Sequence, residues 1–201
     1  MKYVFGIDID EVLRGTLSKM VEVYNREFHD NKQMKDIHSF VVEESFPRIT
    51  QETDITARDW FFQLHSKEIF EDSEMLSGVL EAIEILKKFG EIIIISYQKT
   101  PLNKKQAIDW LDKHGITYDG LCFLKNKSIV HVDYFIDDND WNFKKSTARI
   151  GILIKAPYNK DVNVEELKQQ SYCDDIQRFD SLLDFAKYFE HRHECELYDC
   201  R

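Results

Sequence analysis

The sequence is short of the residues that staple or punctuate a chain. Its 201 residues include three prolines, seven glycines and four cysteines. So little glycine and proline excludes collagen-like and low-complexity architectures. The cysteines, at 122, 173, 195 and 200, are too scattered for the framework of a small secreted scaffold. They are read as reduced thiols of a cytoplasmic protein. Long apolar runs are missing too. No stretch approaches the ~20 residues needed to cross a bilayer. The apolar N-terminus is interrupted at Asp8 and Asp10, so neither a leader peptide nor a membrane partner is expected. Positive charge is in deficit, with 27 Lys and Arg against 37 Asp and Glu and a formal net charge of −10. Polymeric nucleic acid rewards a basic surface and is therefore not an expected partner. A small phosphorylated ligand stays open, because a metal ion and a few lysines can dominate the field of one pocket.

Hydrophobic residues make up 43% of the chain and aromatics 13%, enough for a packed core and against disorder. Residues 2–9 read as a short buried strand. Leu17, Met20, Val21, Tyr24 and Phe28 then recur at helical spacing. Residues 29–77 are polar with aromatic islands and read as a mostly helical insertion. Beyond it, Ser77 is the expected N-cap of a helix with an apolar face of Val79, Ala82, Ile83 and Leu86, and Gly90 the expected terminator. Ile92–Ile95 reads as a second buried strand. A helix opens at Thr100-Pro101, with Ile108 and Leu111 facing inward, and ends at Gly115. Short apolar runs follow at residues 121–123, 134–136 and 150–154, and a last helix over 181–189. Strands alternating with helices imply an α/β fold, a doubly wound parallel sheet. Its site then lies beyond the carboxyl ends of the strands.

Asp8/Asp10, Ser96 and Asp137/Asp138 all fall at those ends. Two carboxylates in an apolar run are costly unless paired or bound to a cation, and the puzzle occurs twice. A hard cation such as Mg²⁺ resolves both pairs, since it takes oxygen ligands. The competing reading makes them helix caps. A carboxylate can also act as a nucleophile towards phosphorus, giving an aspartyl phosphate that water hydrolyses. A second carboxylate can protonate the leaving group, and a hydroxyl and a lysine can hold the phosphoryl oxygens.

Asp8-Ile-Asp10-Glu-Val-Leu13, Ser96, Lys127 and Asp137-Asp138 resemble, in order and spacing, the four motifs of the haloacid dehalogenase (HAD) superfamily. The resemblance covers most of the chain. It implies a HAD-like core with a small helical cap: residues 1–14 and 77–201 as the catalytic core, 15–76 as the cap. It implies Asp8 as nucleophile and Asp10 as general acid/base, with Ser96 and Lys127 on the phosphate. It also implies Asp8, Asp10 (through its backbone carbonyl), Asp137 and Asp138 around Mg²⁺. Lys125 competes with Lys127. Lys127-Ser-Ile-Val followed by Asp133-Tyr-Phe-Ile-Asp137-Asp138 is similar to the 5′(3′)-deoxyribonucleotidases and favours Lys127; residues 70–80 and Ala156-Pro-Tyr-Asn159 also resemble that family. Two departures stand out. Glu11 occupies a position where many members have Gly, and Tyr97-Gln98 follows Ser96 where those nucleotidases have Ser-Pro.

The resemblance implies a Mg²⁺-dependent phosphatase acting on a (deoxy)nucleoside monophosphate, with a sugar-phosphate phosphatase or a non-catalytic HAD-fold binding module as alternatives. Dehalogenases of the superfamily lack the second Asp, so Asp10 argues against that chemistry. The expected partner is a small nucleotide, and a homodimer is allowed. Trp60, Phe61 and Phe62 are expected to pack the insertion, with one or two at most lining a pocket. His65, His114 and His131 are isolated. The tail with His191, His193, Cys195 and Cys200 has no zinc spacing and is expected to be solvated and frayed.

Overall fold

The computed structural model describes the backbone of residues 2–199 and side chains of residues 2–194. Six parallel strands make one sheet: β1 (Tyr3–Ile7), β2 (Gly90–Ser96), β3 (Gly120–Phe123), β4 (Tyr134–Asp137), β5 (Ile150–Ile154) and β6 (Asp175–Phe179). Their order across the sheet is β3-β2-β1-β4-β5-β6. The direction of winding therefore reverses between β1 and β4, which lie side by side from Phe5 against Tyr134 to Ile7 against Ile136. Such a reversal opens a crevice at the carboxyl ends of those two strands.

The first connection is long. It carries α1 (Thr16–Phe28), α2 (Val42–Ser45), α3 (Pro47–Glu52), α4 (Ala57–Asp59) and α5 (Ser66–Glu71). Between α4 and α5, Trp60–Leu64 winds as a π-helix, seen in the bond from the His65 N–H to the Trp60 carbonyl, 3.0 Å. The remaining helices are α6 (Val79–Lys87), α7 (Pro101–Lys113), α8 (Asp140–Phe143), α9 (Val164–Gln169) and α10 (Leu182–Asp199). Packing against the sheet is carried by the expected stripe of α6, with Val79, Ala82, Ile83, Ile85 and Leu86 all buried. The insertion has an apolar cluster of its own, which includes Met20, Tyr24, Phe46, Ile49, Phe61 and Ile69.

Several elements depart from the sequence reading. Ile108 does not face inward; it is 37% exposed, while Trp110 and Leu111 are fully buried. The reason is that α7 packs on α5 as well as on the sheet, and turns Asn103 and Gln106 towards the insertion, where they bond the Phe62 carbonyl (3.0 Å) and the Ser66 hydroxyl (3.4 Å). Gly78, at φ 78°, takes the N-cap position of α6 in place of Ser77. Gly90 opens β2 instead of ending a helix, and a Cβ there would lie 2.0 Å from the Tyr3 carbonyl oxygen. Strand β6 has no counterpart among the expected elements. As an edge strand with one buried residue, Ile176, it needs no apolar run. Helix α10 continues past Phe189, where His193 packs instead of fraying: its ring stacks on Phe189 at 4.1 Å and lies 3.0 Å from the Tyr3 hydroxyl. Cys195 and Cys200 lie outside the described side chains.

Candidate active site

Strands β1 and β4 deliver the first two carboxylates to one place. Asp8 is the residue after β1 and its N–H donates to the Ile136 carbonyl, 3.0 Å away. Asp137 ends β4 and Asp138 follows it. Lys127 arrives from the turn Lys127–Ile129 after β3. Its ammonium donates to Asp137 Oδ2 at 2.7 Å and pairs with Asp8 Oδ2 at 2.8 Å. All four residues are buried. Lys125 is exposed on the wall of the same cavity, so of the two candidate lysines only Lys127 reaches the carboxylates.

Asp8, Asp137 and Asp138 each offer an oxygen within 4.8 Å of the others, and they are the only such group of possible metal ligands among the described residues. Asp8 Oδ1 is buried without a hydrogen-bond partner. When ionised, three carboxylates against one ammonium leave two negative charges uncompensated in a buried site. Excess negative charge among hard oxygen donors fits a divalent cation. The electrostatics point the same way. Burial pushes the Asp8 carboxyl up to about 7, with Asp137 and Asp10 adding to the rise and Lys127 opposing it. Asp138 is raised well above the usual range by burial and by the Asp137 and Asp8 charges. For Lys127, burial works against the charged form, but Asp137 and Asp8 outweigh it and its pKa is raised.

The Asp10 side chain is not in that cluster. Its Oδ1 accepts from Arg14 Nη2 at 2.7 Å, from Arg14 Nε at 3.2 Å and, through a short bond, from the Thr16 hydroxyl. Its Oδ2 accepts from Gln98 Nε2 at 3.1 Å. Burial would raise this carboxyl, but Arg14 and Thr16 hold it below the usual range. The same Gln98 amide donates to Ser96 Oγ at 3.3 Å, so one side chain links the two positions. Glu11 sits at φ 57°, in the left-handed region that glycine enters freely. The Glu11 carboxylate accepts the Leu17 N–H at 2.6 Å, at the start of α1. Burial raises its pKa to about 7 against that bond.

Arg14, Thr16, Gln98, Asn142 and Asn159 are not identifiable as site residues from the sequence motifs. Asn142 Nδ2 donates to both oxygens of Asp137 at 3.0 Å. Asn159 Nδ2 donates to the carbonyls of Asp138 (2.7 Å) and Ile154 (2.8 Å), which gives the 156–159 stretch a physical task. Arg14 has one signal: a charge between the apolar Val12-Leu13 and Gly15 needs a partner inside the protein if that segment is buried. The amides carry none, because an Asn or Gln is equally at home in a surface loop.

Asp8, Asp10, Ser96, Lys127 and Asp138 line a cavity of about 350 Å³ whose opposite wall is the insertion. The π-helix distributes the three adjacent aromatics as chain geometry requires. Trp60 and Phe61 are buried in the insertion's own cluster, while Phe62 lines the cavity with Phe40, Phe46 and Phe70. The isolated histidines stay away from the carboxylates: His65 packs on Trp60 (4.1 Å), His114 on Trp110 (4.5 Å), and His131 lies 3.3 Å from the Thr147 hydroxyl.

Comparison with known proteins bears on the family and the fold. A candidate 5′(3′)-deoxyribonucleotidase of Chlorobaculum tepidum is 26% identical over 184 residues, 85% of this chain and 87% of the relative. The 5′(3′)-deoxyribonucleotidase of Clostridium acetobutylicum is 27% identical over 166 residues, 81% and 87% respectively. Among solved structures, a haloacid dehalogenase-like hydrolase from Streptococcus pneumoniae shares the fold with a TM-score of 0.60 at 14% identity, over 94% of this chain and 98% of that one. The sequence model of the family described as "5′ nucleotidase, deoxy (Pyrimidine), cytosolic type C protein" matches residues 2–179. The chain therefore belongs to that nucleotidase family, shares the fold of a haloacid dehalogenase-like hydrolase, and is a phosphoric monoester hydrolase.

Proposed function

We propose that the chain is a Mg²⁺-dependent 5′-nucleotidase that hydrolyses (deoxy)nucleoside monophosphates through a phosphoaspartate on Asp8. The observation that carries this reading is the unpartnered Asp8 Oδ1 at the cavity, with Asp8 Oδ2 held by Lys127. An oxygen with no partner in a buried site is free to attack phosphorus. Lys127 and the Ser96 hydroxyl hold the phosphoryl oxygens. Attack by Asp8 breaks the bond from phosphorus to the ester oxygen, and Asp10, entering this step in its protonated form, gives that oxygen its proton and is left as the carboxylate. Asp10 then takes a proton from water, which attacks the phosphorus and frees phosphate and Asp8. Asp8, Asp137, Asp138 and the Asp10 backbone carbonyl would hold Mg²⁺, which would supply charge neutralisation between nucleophile and phosphate. Residues 15–76 act as the cap that excludes water and receives the nucleoside. The names of the two relatives support the nucleotide, and free Cys122 and Cys173 support a reducing cytoplasm.

The test is phosphate release from a panel of deoxynucleoside, ribonucleoside and sugar monophosphates, with Mg²⁺ and with EDTA. Turnover of deoxynucleotides that EDTA abolishes and Mg²⁺ restores is the expected result. Preference for a sugar phosphate would replace the substrate, and turnover unaffected by EDTA would remove the metal.

A further inference from the structure

Arg14 carries a charge, yet it is among the largest fully buried side chains of the described residues. A guanidinium without water must spend its donors on the protein. Here Nε donates to Asp10 Oδ1 and to Thr16 Oγ1, both at 3.2 Å, Nη2 donates to Asp10 Oδ1 at 2.7 Å, and Nη1 donates to the Phe70 carbonyl at 2.7 Å. Its faces are also occupied: the Phe70 ring centre lies 5.0 Å from the guanidinium carbon and the Trp110 ring centre 5.3 Å. Stacking of this kind locks the plane of the fork. Trp110 is itself pinned, its indole N–H donating to the Ser73 carbonyl at 2.8 Å.

Three parts of the molecule thus meet at one side chain. Arg14 lies where the chain leaves the sheet for the insertion, and Phe70 is in α5 close to where the chain returns. The outgoing and returning segments are joined by bonds from the Gly15 N–H to the Glu74 carbonyl (3.0 Å) and from the Leu76 N–H to the Leu13 carbonyl (2.9 Å). Trp110 comes from α7, behind the sheet. Asp10 Oδ1 is taken up by Arg14 and Thr16, whereas Oδ2 carries a single amide contact from Gln98. Oδ2 is therefore the oxygen with capacity left for a substrate atom.

We propose that Arg14 is a positioning residue: locked between Phe70 and Trp110, its fork fixes the Asp10 carboxylate so that Oδ2 is presented to the leaving oxygen of the substrate. This inference rests on the role given to Asp10 above. It ties the orientation of Asp10 to the junction of the insertion. Thr16 and Gln98 complete the grip, but only Arg14 joins it to both α5 and α7.

The decisive readout is dependence on the leaving group. Protonation matters for a poor leaving group such as a nucleoside alkoxide and little for p-nitrophenolate. Arg14→Lys keeps the charge and loses the fork. Single-turnover release of the leaving group would be measured for both substrates with Mg²⁺ present. The expected result is a loss of roughly tenfold or more for the deoxynucleotide, with p-nitrophenol release reduced less than about threefold. Equal losses for both substrates, or none, would overturn the proposal; a merely structural residue gives equal losses through the folded fraction. If Arg14→Lys does not fold, Trp110→Phe loosens the seat of Arg14 without touching Asp10, and must give the same selective loss. The wild-type enzyme and Asp8→Asn are run alongside. If Asp8→Asn keeps its rate, the nucleophile assignment fails, and that failure is separate from the Arg14 result.

Discussion

Two walls enclose the cavity, and they are made differently. One is the strand-end wall, where Asp8, Ser96 and Asp138 sit at or just beyond the ends of β1, β2 and β4 and the parallel ladder brings those ends together. Its polar groups are tightly interlinked, Lys127 to two carboxylates, Gln98 to Asp10 and Ser96, Asn142 to Asp137. The other wall is the insertion, whose short helices hold together by aromatic packing: Phe46 on Phe61 at 4.9 Å, Trp60 on Phe61 at 4.9 Å, Tyr24 on Phe46 at 5.1 Å. The first wall concentrates charge that tolerates no displacement. The second buries apolar rings that tolerate exchange as long as volume is kept. On the proposed function, chemistry belongs to the strand ends and the shape of the substrate space to the insertion.

The comparison breaks most sharply at Asp8. Asp8→Asn is expected to lower turnover by at least about a thousandfold, the scale on which enzymes lose a nucleophile. The thermal midpoint should stay within about 4 °C, because the strand and its partners are unchanged. Thermal melting beside steady-state assays checks both, and full activity would sink the assignment.

On the other wall the effects should reverse. Phe61 is fully buried in the insertion cluster and does not line the cavity. Phe61→Ala is expected to cost about 3–5 kcal/mol of stability, while kcat of the molecules that remain folded changes less than KM. Urea titration and Michaelis–Menten kinetics measure the two parts. A kcat loss as large as that of Asp8→Asn would mean the walls are not separable.

A smaller effect concerns pH. His114 packs on Trp110, and burial, assisted by Lys113, lowers its pKa below 6.5. The native ring stays neutral where the unfolded ring already binds a proton. Its contribution to stability is therefore fully present above pH 6.5 and is lost as pH falls below that value towards the lowered native pKa. His114→Phe should flatten stability between about pH 7 and 5 relative to wild type, as read from urea midpoints. An unchanged slope would reject this.

The smallest effect is at the surface of the insertion. Arg26 and Glu68 bond at 2.6 and 3.0 Å but remain partly solvated, and Arg26 holds the Glu68 carboxyl down at about 2. Glu68→Gln should cost less than about 1 kcal/mol at neutral pH and leave kinetics unchanged.

Much of the strand-end wall is legible in the amino-acid sequence. The apolar run ending in Asp8-Ile-Asp10, the isoleucines before Ser96 and the run before Asp137 each pair a strand with a charge or a hydroxyl at its end, and a charge there is conspicuous. Ile108 misleads because a helix that packs on two neighbours has no single apolar stripe. The edge strand β6 escapes because an edge needs little burial. The insertion is legible as helical and aromatic but no further, since adjacent aromatics can face either way and only the π-turn at Trp60–Leu64 decides which one meets the cavity.

By itself the sequence determined the alternation of strands and helices, and with it a parallel sheet and the end of that sheet where the carboxylates lie. Periodicity and buried charge are local properties that one chain segment displays. The tertiary structure alone decided that Asp8 Oδ1 is left without a partner, that the Lys127 ammonium spans Asp8 and Asp137, and that a buried arginine grips Asp10. Those facts depend on contacts between residues as far apart as Arg14, Phe70 and Trp110. The packing that joins them is not written in the spacing of any one segment.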